Sequence, residues 1–204
     1  MVAAKQAELT AYVADHRDEL ACGQRVLLFV DECFLLWGDV CGYAWGKRNA
    51  PLSILVDNPK MRQAYYGALN ARTGEMHLAT YPKAEQAATT DFLTHIALCY
   101  PEAKVTICWD NASWHKGTEM VAYLTRINAE AASADWPLTC LHFAPHDPTQ
   151  NPIEEVWRQG KNALRRTRLA ATTFDHVTQA FAAYLDQQVF DFPKRQMYGD
   201  LQMI

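Results

Sequence analysis

The sequence predicts an α/β fold, a mixed sheet flanked by helices. Three observations carry this. "RVLLFVDE" (25–32) and "KVTICWDN" (104–111) are short, nearly continuous apolar runs, as expected of strands buried on both faces, and each ends in acids. "RQAYYGALNARTGEMHLATY" (62–81) reads as two strands joined by the turn Arg72-Thr73-Gly74-Glu75, an antiparallel hairpin. The stretches between and after these runs have helical spacing, and strands interleaved with helices give a covered sheet with ligands at the carboxyl ends of its strands.

In chain order, residues 1–20 read as a polar amphipathic helix with no signal-peptide core. The strand 25–32 follows, then "CGYAWGKRN" (41–49) as a short strand and turn, then the hairpin. "KAEQAATTDFLTHIALCY" (83–100) is alanine-rich and helical. The second buried strand, 104–111, leads into a helix over 114–132, and "PLTCLHFA" (137–144) is a further strand. Two helices close the pattern, at 153–167 and 173–190. No repeat or low-complexity linker divides the chain, so 1–204 reads as a single domain.

The composition is that of an ordinary globular protein, with 50% hydrophobic and 21% charged residues. No apolar run reaches the roughly 18 residues of a membrane span. A cytoplasmic protein with no membrane partner is expected. Six cysteines are scattered without a C-x-x-C pair and read as free thiols. The net charge of −4 argues against a dedicated nucleic-acid-binding domain but leaves room for a local basic patch.

Such a patch is visible in "FAPHDPTQNPIEEVWRQGKNALRR" (143–166). Prolines at 145, 148 and 152 stiffen a loop that passes directly into a helix. At 100° per residue, Glu154, Arg158, Lys161, Arg165 and Arg168 share one stripe, while Ile153, Trp157, Gly160 and Leu164 lie on the neighbouring, inward side. A row of cations suits a polyanion, and a carboxylate at its head suits one only across a metal ion. A solvated basic face is the competing reading of the stripe.

Asp31 and Asp110 at strand ends and Glu154 at a helix start can meet at one sheet edge. Clustered carboxylates repel, and hard divalent cations relieve the repulsion. Two such ions about 4 Å apart clamp the attacking and leaving oxygens of a phosphodiester displacement. Each acid also has a plainer reading: an Asp there can be a turn or cap residue and Glu154 can complement the helix dipole. Glu32, Asp147 and Glu155 compete for the same roles. His115 and Lys116 follow Asp110 closely and are candidates to reach a scissile phosphate, against the reading of an exposed helix start. For Trp109 and Trp114, core packing is favoured over base stacking. His142 and His146 are four apart, but Pro145 breaks any helix between them, which argues against a zinc site.

"FVDECFL", "YYGALNARTGEMHL", "TICWDNASWHK" and "NPIEEVW" together resemble the motifs of DDE transposases, in particular the bacterial insertion-sequence branch of the mariner superfamily, in order and spacing over residues 20 to 190. The resemblance implies a ribonuclease-H-like fold, with Asp31, Asp110 and Glu154 as the catalytic, metal-holding triad and Mg²⁺ or Mn²⁺, two ions, as cofactor. It implies an enzyme that cuts DNA at transposon ends and joins the freed 3′ ends to target DNA, and a homodimer in synapsis. Two features depart from the family. "PHDPTQ" replaces the usual P-Y-S-P-D-L type of loop, which makes His146 and Asp147 unusual. The first acid also comes at residue 31, which leaves no room before it for a helix-turn-helix region, so a separate helix-turn-helix chain is an expected partner alongside DNA. Two alternatives stand beside this reading: a catalytically silent ribonuclease-H-like remnant that binds DNA or a partner, and a structure-selective nuclease of the same fold.

Overall fold

Alternation along one strand organises the molecule. The computed structural model describes residues 2–41, 47–49, 60–167, 173–186 and 188–201. Strand β1 (Arg25–Leu36) sends Leu27, Phe29, Cys33 and Leu35 into one hydrophobic core and Val26, Leu28 and Val30 into another. This period-2 division makes β1 the central wall between two packed layers.

Around it lie β2 (Arg62–Asn70), β3 (Met76–Tyr81), β4 (Lys104–Trp109) and β5 (Leu138–His142), in the order β3-β2-β1-β4-β5. The β1–β2 and β2–β3 pairs are antiparallel, and β1–β4 and β4–β5 are parallel. The hairpin turns where expected: Asn70 Oδ1 accepts from the Arg72 and Thr73 amides, and Gly74 takes the left-handed φ of 77° that the turn needs. The sheet is mixed and covered by helices on both faces, in line with the sequence expectation.

Helices α1 (Val2–Asp15) and α2 (Arg17–Cys22) precede the sheet. Helices α3 (Gln86–Cys99) and α4 (Thr118–Ile127) cover the face of Val26, Leu28 and Val30, through Phe92, Leu93, Ile96, Met120 and Tyr123. Helices α5 (Ile153–Thr167) and α6 (Phe174–Leu185) cover the opposite face, through Ile153, Val156, Trp157, Val177 and Phe181. Among the described residues no helix is long and apolar enough to cross a membrane, and all six cysteines are free.

Several boundaries differ from expectation. The first helix is broken at His16 into two, and Gly23 at φ 81° ends the second. β1 does not stop at its acids but runs on to Leu36, because antiparallel pairing with β2 continues through Leu36↔Arg62. The helix expected over 114–132 is shorter: residues 113–115 form a tight 3₁₀ turn, extended Gly117 precedes α4, and Asn128 ends it, bonded to both Leu138 backbone groups. α6 stops at Leu185, and Val189 instead bridges Glu75. Of the strand expected over 41–49, residues 42–46 lie outside the described residues.

Candidate active site

The parallel β1–β4 ladder is last registered at Phe29↔Cys108. Two residues further along each strand stand Asp31 and Asp110, on the face that carries Phe29 and Cys108. Asp31 is therefore not at the end of β1 but beside the end of β4, where the sheet opens a crevice. The third acid arrives from the helix layer above this face.

How Glu154 is delivered follows from its neighbours. The Asn151 amide, buried, donates to the Val30 carbonyl at 3.1 Å and so ties the start of α5 to the residue before Asp31. Asn151 Oδ1 accepts from the Ile153 amide, and the Asn151 carbonyl accepts from Glu154 N–H and from Lys194 Nζ. Gln150, fully buried, clamps Ala144 through its side chain, while its carbonyl accepts from the Tyr198 hydroxyl at 2.7 Å. The loop sequence thus fixes its backbone to position one carboxylate. His146 takes a left-handed φ of 60°, and Asp147 caps the short turn 148–150 by accepting from the Thr149 amide.

Asp31, Asp110 and Glu154 line one cavity of about 290 Å³, together with residues of the 143–148 loop and Asn151. The acids differ electrically. Burial, then the charges of Glu154, Glu32 and Asp110, push the Asp31 carboxyl well above the usual carboxylate range. Burial also raises Glu154, against the pull of Lys194 and Lys161. Asp110 moves the other way: the hydrogen bond from His115, helped by the Ala112 amide, holds it below the ordinary value.

Oxygen-only donors, one of them a partly buried carboxylate loaded by its neighbours, suit a hard divalent cation. Among the described residues, no three His, Cys, Asp or Glu side chains already converge on a common ligating point. The three acids share the cavity without closing on its centre.

The competing acids are sorted by position. Glu32 faces the other side of β1, where it accepts from Trp114 Nε1 at 3.2 Å and His115 Nε2 at 3.0 Å. Glu155 is bonded to Arg158 and Gln159. Asp147 reaches the cavity but serves as the cap just described.

The expected phosphate contacts need correction. His115 does not face a substrate: it is 3% exposed, stacked on Trp109 at 4.0 Å, with both ring nitrogens engaged. The 3₁₀ turn folds it back under the sheet edge. Lys116 is exposed and donates to Asn111 Oδ1. Within the basic stripe, Arg158 is ion-paired with Glu155, Lys161 with Asp39 at 3.1 Å, and Arg165 donates to Asn162. The stripe exists, but at Arg158 and Lys161 it is not a row of uncompensated cations. Arg168 lies outside the described residues. Trp109 is core, as expected, and Trp114 is partly buried. Lys194, which sequence reading missed, lines a shallow groove with Thr149, Glu154, Glu155 and Arg158 next to the cavity.

Comparison with known proteins gives a consistent picture. The family model described as DDE superfamily endonuclease matches residues 26–175. By sequence alone, no curated protein matches the chain. Among solved structures, the catalytic domain of the Mos1 mariner transposase is similar with a TM-score of 0.56 at 12% identity, covering 95% of this chain and 82% of that one. The Mos1 mariner paired-end complex with Mn gives 0.59 at 12% identity, covering 95% and 56%. A simian T-cell lymphotropic virus intasome in complex with a PP2A regulatory subunit gives 0.53 at 10% identity, covering 84% and 53%. The chain spans about half the length of the latter two proteins. At these identities the likeness shows the fold alone, which is shared with the Mos1 catalytic domain.

Proposed function

This chain belongs to the DDE superfamily of endonucleases, and from that premise we propose that it is the metal-dependent catalytic domain of an insertion-sequence transposase of the mariner type. Its reaction is cleavage of DNA at transposon ends followed by transfer of the freed 3′ ends to target DNA. Asp31, Asp110 and Glu154 hold Mg²⁺ or Mn²⁺, as two ions. One observation carries the reading: three carboxylates from β1, the end of β4 and the start of α5 line a single cavity.

Bound Mg²⁺ or Mn²⁺ would supply the charge that activates the attacking oxygen and stabilises the leaving one. The chain's own contribution is placement. Asp31 lies deep, on the rigid centre of the sheet. Glu154 comes from a helix start fastened to Val30 by Asn151. Asp110 has one carboxylate oxygen, Oδ1, engaged by the Ala112 amide at 2.8 Å and by His115 at 3.0 Å, which leaves Oδ2 to serve as a ligand. Lys116, Lys194 and the Arg158–Arg165 face of α5 are the groups best placed to meet backbone phosphates. DNA is the partner. A helix-turn-helix module supplies end recognition, and two copies synapse two ends.

The test is a cleavage and strand-transfer assay on a pre-nicked transposon-end duplex with Mn²⁺ or Mg²⁺, in the presence of the DNA-recognition partner. Joined product from the wild type and none from Asp110→Asn supports the proposal. Cleavage by Asp110→Asn at the wild-type rate sinks it. Release of 3′ ends without joining makes the protein a nuclease instead.

A further inference from the structure

Two carboxylates and one imidazole form a chain around the edge of β4 that the triad alone does not explain. Glu32 is adjacent to Asp31, but strand alternation turns it to the opposite face. There its side chain is almost fully buried and meets the fully buried ring of His115. The other ring nitrogen, Nδ1, reaches Asp110 Oδ1 at 3.0 Å. Both imidazole nitrogens therefore face carboxylate oxygens, and Nδ1 also lies 3.4 Å from the Asp110 carbonyl. The ring cannot rotate away: it lies parallel to Trp109 at 4.0 Å, with an interplanar angle of 5°. Trp114 Nε1 donates to the same Glu32 oxygen and fixes that carboxylate from a second side.

From this geometry we infer that Glu32 and His115 are positioning residues for the metal ligand Asp110. Glu32 orients the imidazole ring, and the ring, with the Ala112 amide, pins Oδ1 so that Oδ2 is turned to the cavity. The inference rests on the proposed metal site. It adds two residues that touch neither metal nor DNA, one on the far face of the sheet. Asp110 needs such support more than Asp31 does. It follows the last residue of its strand and is more than half exposed, whereas Asp31 is held within a continuous ladder. Partners of metal ligands that lie one shell out commonly change metal affinity or activity by about 10- to 100-fold when removed.

The experiment is a calorimetric Mn²⁺ titration of the 204-residue chain, with circular dichroism to establish that each variant is folded. Asp110→Asn serves as the reference for loss of a ligand. His115→Phe keeps a flat ring against Trp109 but has no donor, and should weaken Mn²⁺ binding about 10- to 100-fold. His115→Asn places an amide near the lost Nδ1 and should recover part of that loss. Glu32→Gln keeps an acceptor but replaces the carboxylate that holds Nε2, and should weaken binding in the same direction. It carries the test if His115→Phe does not fold. If Asp110→Asn loses Mn²⁺ while folded His115→Phe and Glu32→Gln bind it as the wild type does, the positioning role is overturned and the metal site stands. If the wild type does not bind Mn²⁺, or Asp110→Asn binds it unchanged, the metal reading fails and this inference with it.

Discussion

Asp31 and Gly67 face each other across the antiparallel ladder of β1 and β2. The bare α-carbon of Gly67 makes room for α5: a Cβ there would stand 2.5 Å from Trp157 Cη2 and closer still to the Met76 methyl. Trp157 lies one turn beyond Glu154, so the glycine opposite the first acid sets how near the helix bearing the third can come.

Gly67→Ala should therefore do two things. Overpacking against Trp157 and Met76 should destabilise the fold by about 1–3 kcal/mol. By lifting α5 it should also weaken Mn²⁺ binding, although no ligand has changed. Urea denaturation and a metal titration on the same variant check both. An unchanged metal affinity would show that the bonds of Gln150 and Asn151, and not the fit of Trp157 over Gly67, set where α5 begins.

The acids should respond differently to neutralisation. Burial and three neighbouring carboxylates disfavour the charged form of Asp31, so Asp31→Asn, neutral at every pH, should raise the melting temperature of the metal-free protein. Asp110 is held in its charged form by His115, so Asp110→Asn should lower it. Both should abolish metal-dependent cleavage. Thermal melts in EDTA check the contrast, and a rise for both would mean that the His115 bond adds nothing to Asp110.

Away from the site, Glu19 anchors buried Arg25 at 2.6 Å and also meets Lys104. The Arg25 bond holds the Glu19 carboxyl below its ordinary value of 4.5. A depressed folded-state pKa gives stability that is present above the unfolded value and is lost as pH falls through the folded one. Glu19→Gln should cost about 1.5–3 kcal/mol at pH 7, the range for a hydrogen bond to a charged group. The difference from wild type should shrink below pH 4.5. Urea denaturation at several pH values tests this, and a gap that persists at pH 3 would assign the loss to packing.

DNA binding by the chain alone should be weak and without sequence preference, in keeping with its net charge of −4. Because Glu155 occupies Arg158, Glu155→Gln should strengthen it. If Arg158 then takes one phosphate, the slope of log K against log salt should steepen by about 0.9. Anisotropy titrations across salt concentrations measure it. An unaltered slope would remove Arg158 from the proposed contact face.

Much of this was legible in the sequence because its signals are local. The apolar runs located β1 and β4, and the proline-rich loop before a helical pattern located α5 and Glu154. Reading acids as strand terminators misplaces the end of β1: Asp31 and Glu32 are tolerated mid-strand because they face a cavity and a buried imidazole. The stripe on α5 was visible, but Asp39, which binds Lys161, comes from a distant turn. His115 looked like a surface residue because the Glu32 carboxylate that encloses it is remote in sequence and on a different strand. Lys194 has no local pattern at all, since its role comes entirely from folding back onto Asn151.

That fold-back bears on the order of assembly. Asp31 and Asp110 belong to a sheet whose last strand ends at His142, yet the loop carrying Glu154 is fastened by Lys194 and Tyr198, and Arg195 binds the carbonyls of Ala71 and Arg72. In the proposed metal centre the loop of the third acid is thus fastened by residues 43 and 48 positions further along the chain, so that the site closes only when the chain has folded back on itself.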